Sequence, residues 1–306
     1  MEEIEIFILC RDRPDYSRIS IESVLKNSNQ AKIIISDNSI SNVIEKMCLV
    51  SFPNISYRKR SNLDPIAHLK VIVEESKSDY LVMFHDDDVM KENYIEKMIS
   101  LFKSNDQLIA IGSNADKIDE NGNVIGSFFK KSNNGLLITN KNRMLLPYMT
   151  LGKEFDEFAP FPSYIYKTKR ICSEMFRTND GGNHADLSFL LKVLNNGKIY
   201  WTYEKLIQYR VHQHNGSSVI PVIQKISLFN YIKKNIITHN ESNLLLDFRF
   251  RIWLPWLKFR LKNQKKIARK ELIVFKFLFF HFLKIFFTRP AVILYHFLRL
   301  LNKQFK

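Results

Sequence analysis

An α/β fold, with a mostly parallel sheet flanked by helices, is what three observations predict for this chain of 306 residues. Short apolar runs alternate with segments of helical periodicity over roughly the first hundred residues, the pattern of strand–helix–strand units. Polar clusters at 11–15, 37–39 and 85–88 close three of the apolar runs, and ligands gather at the carboxyl ends of parallel strands. Hydrophobic residues make up 45% of the chain, enough for a large buried core, which excludes disorder for most of it.

Taken in order, Ile4 to Cys10 reads as a strand, Arg11 to Asp15 as a polar turn containing Pro14, and Tyr16 to Lys26 as a helix on the spacing of Ile19, Ile21, Val24 and Leu25. Ala31 to Ser36 is a second strand that ends at Asp37-Asn38-Ser39, followed by a short helix near Val43 to Leu49. Ile55 to Arg58 forms a third strand, Ile66 to Glu75 a helix, and Tyr80 to Phe84 a fourth strand running into His85-Asp86-Asp87-Asp88. Asn93 to Phe102 reads as a helix, Leu108 to Gly112 as a strand, and Ala115 to Phe129 as a hairpin around Asn121-Gly122. From Lys130 to Phe161 the pattern is irregular, and loops of that length commonly carry function. Asp186 to Leu194 is a helix behind the glycine-containing stretch Asn179 to Asn183, and Lys198 to Tyr203 a strand.

Charge is unevenly distributed. The chain carries a net +15, yet Arg249 to Lys306 alone holds fifteen Lys/Arg against one acid, Glu271, so residues 1–248 are nearly neutral. Cys10, Cys48 and Cys172 are odd in number and follow no paired metal spacing, which argues against a disulfide framework or a zinc site and for a reducing cytoplasm. The acidic start, Met-Glu-Glu-Ile-Glu, is unlike a secretory signal.

Three consecutive aspartates after a buried strand concentrate acceptor-only groups whose repulsion calls for a cation. Oxygen ligands suit Mg²⁺ or Mn²⁺, and the alternate residues Asp86 and Asp88 can reach one ion. A solvated turn in which Asp88 caps the next helix is the plainer alternative.

These segments resemble the nucleotide-sugar-dependent glycosyltransferases of family 2, whose GT-A fold is a Rossmann-like α/β domain with a strand-end D-x-D motif. Ile-Phe-Ile-Leu-Cys-Arg-Asp-Arg-Pro is similar to that family's opening strand and loop, with Asp12 where Asn is usual. Ile-Ile-Ile-Ser-Asp-Asn-Ser is similar to its second strand, and Tyr-Leu-Val-Met-Phe-His-Asp-Asp-Asp to its fourth strand and metal motif. The likeness covers residues 4–103 well and extends more loosely to about 218. It implies donor binding by Asp12, Asp37, Asn62, Asp87 and Arg210, with Asp37 on the nucleoside, and a metal held by Asp86, Asp88 and His212 of the Tyr-Arg-x-His segment. It also implies a catalytic base in the Ala185-Asp186 pair, since an attacking hydroxyl must lose its proton to a positioned acceptor. For Asp186 the alternative is a helix cap, and Asp180 is the reserve base. His214 competes with His212, Arg210 is equally suited to an ion pair, and His85 either orients an aspartate or fills the strand end. Asp64, beside Asn62, ranks below Asp37 for the nucleotide pocket. The aromatic segment 152–163, with Phe155, Phe158 and Phe161, either covers bound substrates or is ordinary core.

Beyond Phe248 the chain is rich in Phe and Trp, and on a helix Lys258, Lys262, Lys265, Arg269 and Lys276 fall on one face. The apolar run 272–287, interrupted by Lys276, His281 and Lys284, falls short of the ~20 residues that span a bilayer. A helix lying in the interface of an anionic membrane fits best; a spanning segment, a dimerisation region and a nucleic-acid site are the weaker alternatives. The expectation is thus a GT-A domain over 1–218 and a basic, aromatic helical extension over 219–306 that associates with the inner face of the cell membrane. The expected partners are a nucleotide-sugar donor and a lipid-linked glycan acceptor, with no nucleic acid. The resemblance implies inversion at the anomeric carbon and a role in surface-polysaccharide assembly. The competing readings are a sugar-nucleotide nucleotidyltransferase, disfavoured because Arg11 to Asp15 holds no glycine, and a membrane-surface protein with an inactive transferase-like domain.

Overall fold

The computed structural model describes residues 3–27, 29–60, 62–129, 135–149, 158–212 and 222–236, together with the single positions 245, 248, 283, 286, 287 and 290. In chain order the elements are β1 (Ile4–Cys10), α1 (Pro14–Leu25), β2 (Lys32–Asp37), α2 (Val43–Ser51), β3 (Ser56–Lys59), α3 (Pro65–Glu75), β4 (Tyr80–His85) and β5 (Val89–Met90). They continue with α4 (Tyr94–Lys103), β6 (Leu108–Ile118), β7 (Val124–Ser127), β8 (Leu136–Ile138), α5 (Lys141–Met149), β9 (Tyr164–Lys167), α6 (Ala185–Val193), β10 (Lys198–Arg210) and α7 (Val222–Asn235).

Local chemistry explains several boundaries. Pro14 and Pro65 stand in the first turns of α1 and α3, where a missing N–H costs nothing. Asp64, placed by the sequence near the nucleotide pocket, caps α3 by accepting from the Ile66 and Ala67 N–H groups at 3.0 and 3.1 Å. The expected hairpin is present, as β6 and β7 pair antiparallel.

The strands form one sheet in the order β3-β2-β1-β4-β9-β6-β10-β5, with β7 added to β6 and β8 to β10. The expectation of a mostly parallel sheet needs correction, because the sheet is mixed. β3, β2, β1 and β4 are mutually parallel, as are β6 and β10, but β9 inserts antiparallel between β4 and β6, and β5, β7 and β8 also pair antiparallel. β5 and β9 are two and four residues long, too short for alternation to reveal, and only pairing defines them. The stretch expected to be irregular contains β8 and α5, and β10 runs seven residues beyond Tyr203.

Period-two alternation splits the core into two layers. Ile4, Ile6, Ile8 and Cys10 of β1 face the layer built with α1, α2 and α4, whereas Phe7 faces the layer of α3, α5, α6 and α7. Leu228, Phe229 and Ile232 of α7 are buried in that second layer, so the helix packs on the same body although it follows residue 218. Burying a side chain of this size contributes roughly 1.5–3 kcal/mol. Most of the basic extension lies outside the described residues; of its described positions, Leu283, Phe286 and Phe287 are exposed. Among the described residues no helix is long and apolar enough to cross a membrane.

Candidate active site

Register brings the polar clusters to one edge. Cys10 pairs with Asp37, Leu9 with His85, and Asp37 with Lys59, so β1, β2, β3 and β4 finish side by side. β10 joins them through β5: the pairs Gln208–Val89 and Ile207–Met90 hold Arg210 and the following His212 against the aspartates. That tiny antiparallel pair links residues more than a hundred positions apart.

The three aspartates have three different environments. Asp86 is fully buried; its Oδ1 accepts from the Arg13 guanidinium, and its Oδ2 accepts the Arg11 N–H at 2.9 Å and the Ser17 hydroxyl at 3.0 Å. Burial pushes its pKa up to about 6 even though Arg13 pulls the other way. Asp87 accepts from Arg13 at 2.6 Å and shares a 2.9 Å hydrogen bond with His212 Nε2. Burial would raise its pKa, but His85, Arg13 and His212 together hold it below the ordinary carboxylate range. Asp88 accepts the Arg210 N–H at 2.9 Å through Oδ1, while its buried Oδ2 has no hydrogen-bond partner. Burial first, then the charge of Asp87, pushes this carboxyl well up.

A buried carboxylate oxygen without a donor is costly unless a cation reaches it. His85, Asp87 and Asp88 each offer a ligand atom, all within 4.8 Å of one another, and this mixed imidazole and carboxylate set suits Mn²⁺ or Mg²⁺. The residues therefore fit a divalent cation. Their grouping differs from the alternate pair expected from spacing: Asp86 has its oxygens occupied by Arg13, Arg11 and Ser17, and His85 takes the third place. His212 adjoins the group through Asp87 and packs 5.5 Å from the Tyr16 ring. His214 lies outside the described residues. Asp88 does not cap a helix.

Arg210 is a clamp. Its Nε donates to the Asp87 carbonyl oxygen at 2.9 Å, its Nη1 donates to the carbonyl oxygens of Asp119 and Glu120, and its guanidinium stacks over Tyr16 at 4.8 Å. These contacts fix the backbone of the aspartate turn.

Asp37 forms a neighbouring recess. It is fully buried, with Oδ1 accepting the Ser39 N–H and Oδ2 accepting Tyr57 at 2.5 Å and Lys59 at 3.0 Å. Behind it, Arg60 Nε donates to the Ser36 hydroxyl, which contacts His68 at 2.8 Å. Nearby, Asp12 and Asn62 are, among the described residues, the non-glycine residues with left-handed backbone, at φ 50° and 47°. Asp12 accepts from the Ile40 and Ser41 N–H groups, and Asn62 accepts from Arg11 at 3.4 Å.

Asp186 stands in the first turn of α6, behind Gly181 and Gly182, whose φ values of 142° and 59° demand glycine-like freedom. Its Oδ1 accepts the Leu187 N–H at 2.7 Å, and among the described residues no cation pairs with it. Burial pushes its pKa up to about 6, which matches a proton acceptor working near neutrality. Asp180, the reserve base, is instead tied to Lys192 at 2.5 Å. Phe161 connects the two regions, 5.9 Å from the His85 ring and 6.3 Å from Phe189 of α6. Phe158 packs on Tyr148 and Phe128, so the described part of the aromatic segment is core, while Phe155 lies outside the described residues.

Sequence reasoning missed Arg13, Ser17, Tyr57 and Lys59. Arg13 was visible as a basic residue in the first polar turn, but its partners lie 73 and 74 positions away.

The family model for glycosyl transferase family 2 matches residues 5–164. No curated protein matches the sequence. Among solved structures, S. aureus TarS residues 1–349 in complex with UDP-GlcNAc is similar at 11% identity and TM-score 0.58, covering 88% of this chain and 77% of that one. The same TarS fragment without ligand is similar at 13% identity, TM-score 0.55 and the same coverage of 88% and 77%. Its complex with UDP is similar at 12% identity and TM-score 0.51, over 81% and 80% of the two chains. At such identities the likeness shows the shared fold.

Proposed function

The chain belongs to glycosyl transferase family 2, and from that premise we propose that it moves a sugar from a nucleotide-diphosphate donor to a hydroxyl of a lipid-linked or cell-surface glycan. The reaction proceeds with inversion at the anomeric carbon and with a divalent cation, in surface-polysaccharide assembly. The observation that carries this reading is the buried Oδ2 of Asp88, which receives no hydrogen bond and lies beside His85 and Asp87. The UDP-GlcNAc and UDP bound in the TarS structures support a nucleotide-sugar donor.

In this reading Asp37, with Tyr57 and Lys59, holds the nucleoside, and Asp12 and Asn62 shape the rim of that recess. His85, Asp87 and Asp88 hold the cation, which when bound supplies positive charge against the departing diphosphate. Arg13 holds Asp86 and Asp87 in place and helps keep Asp87 ionised, and His212 orients Asp87. Arg210 holds the turn in register. Asp186 accepts the proton of the attacking hydroxyl, and its desolvated position lets it do so near pH 6 to 7.

Asp88→Ala tests the central claim. The variant is expected to lose metal-dependent hydrolysis and transfer across a panel of nucleotide sugars supplied with Mn²⁺ or Mg²⁺, while keeping its circular dichroism spectrum. Undiminished turnover would reject the cation site. The charge pattern of residues 249–306 supports peripheral attachment to the cytoplasmic membrane face. Replacing Lys258, Lys262, Lys265 and Arg269 by Gln should reduce flotation with anionic liposomes, and unchanged flotation would remove the tail from that role.

A further inference from the structure

A second polar site lies away from the strand ends, between α5, α6, α7 and the segment preceding α6. It encloses about 610 Å³, within the range of small-molecule pockets and far more than a single ion fills. Lys141 at the start of α5, Arg177, Lys192 in the last turn of α6 and Lys234 in the last turn of α7 line it. Asp180 is the one carboxylate among the described lining residues.

That carboxylate is already committed. Lys192 Nζ lies 2.5 Å from Asp180 Oδ2, donates to the Met175 carbonyl oxygen at 2.8 Å, and sits over the Tyr231 ring at 5.6 Å. Lys141, Arg177 and Lys234 therefore bring three further positive charges from three separate elements. Among the described residues no ion pair involves any of them. Arg177 is anchored by its Nε on the Glu174 carbonyl oxygen at 3.2 Å, and α7 is tied to the opposite wall by the Ser227 hydroxyl donating to the Asn179 carbonyl oxygen at 3.2 Å. Like charges held on fixed walls around one cavity favour an anion there.

We propose that this cavity binds a phosphate group carried by the glycosyl acceptor. The inference rests on the glycosyltransferase reading for the word acceptor, while the anion site itself stands on the geometry. A donor diphosphate already has its place at the strand ends, so the second phosphate belongs to the other substrate. Asp186 and Lys192 occupy the first and last turns of α6, six residues apart, which is about 9 Å of helix rise. The volume leaves room for a sugar or polyol unit joined to the phosphate.

The test titrates the full chain with inorganic phosphate and with glycerol 1-phosphate, comparing wild type, the Lys141→Gln/Lys234→Gln double variant and Asp180→Asn. Losing two surface cations should weaken binding of both probes about tenfold and flatten its salt dependence. Asp180→Asn should tighten it, because the site loses its only described carboxylate and Lys192 is released. Metal-dependent donor hydrolysis should stay at the wild-type level in the double variant, which separates this site from the strand-end site. Equal phosphate affinity in wild type and double variant would overturn the proposal. So would loss of binding to phosphatidylcholine/phosphatidylglycerol vesicles by the double variant with phosphate and glycerol 1-phosphate binding unchanged, which would assign the cations to lipid headgroups. Absence of donor hydrolysis in the wild-type chain, with tight phosphate binding retained, would instead strike the transferase reading and leave the anion site standing.

Discussion

Asp87 at the strand ends and the partly buried Asp186 are both desolvated acids, but they are provided for in opposite ways. Asp87 receives both Arg13 and His212, so its burial is outweighed by counter-charge from the protein itself and its pKa stays low. Asp186 is partly buried without a described counter-charge, and desolvation raises its pKa to about 6. The first arrangement holds the charge of Asp87 constant. The second lets charge change, as a proton acceptor requires.

The largest expected effect comes from removing the titrating group. Asp186→Asn should lower transfer by about 10³-fold while nucleotide-sugar binding, followed by calorimetry, stays intact. Near-normal transfer would mean that the bare carboxyl is not the proton acceptor and would dissolve the contrast. The same variant should be more stable at neutral pH. A carboxyl whose folded pKa is raised from 3.8 to about 6 costs nothing below pH ~4, an increasing amount between ~4 and ~6, and its full penalty above. The thermal midpoint of Asp186→Asn should therefore exceed wild type at pH 7.5, by the equivalent of about 1–3 kcal/mol, and match it at pH 4.

The balanced end should fail differently. Arg13→Met leaves Asp86 fully buried without its cation and should cost about 2–4 kcal/mol in denaturant unfolding, less than for a wholly buried pair because Arg13 is 32% exposed. Adding Asp86→Asn should recover most of that loss. If Arg13→Met unfolds at the wild-type midpoint, the ion pairs are not what balances the aspartates. A smaller effect sharpens the comparison further. Transfer should fall about tenfold per unit as pH drops below about 6, where Asp186 takes up a proton. The Asp87 carboxyl, followed by NMR, should show no titration between pH 6 and 7, since it is held below the ordinary range.

Much of this was legible in the chain. Ile4 to Cys10 declares a buried strand by its run of apolar residues, and Ile66 to Glu75 reads as a helix, although Asp64, placed by the sequence in a nucleotide pocket, is that helix's cap. Asp37 and the aspartate run could be placed at strand ends because they directly follow such runs. The choice among the three aspartates was not legible. Spacing favours Asp86 with Asp88, yet Arg13 and Ser17 bind Asp86 from a helix start some seventy residues earlier. Likewise Tyr-Arg-x-His reads as a ligand motif, but β5 pairing turns Arg210 into a backbone clamp.

By itself the sequence determined the first four strands with the helices between them, the polar edge on which they end, and the division between a near-neutral body and a basic tail, because periodicity and local composition are properties of neighbouring residues. Only the tertiary structure decided that the sheet is mixed, which carboxylate oxygen is left without a hydrogen-bond donor, and which acid has no described counter-charge. Those outcomes depend on charges and hydrogen bonds brought together from positions tens to more than a hundred residues apart, and no local pattern records such partners.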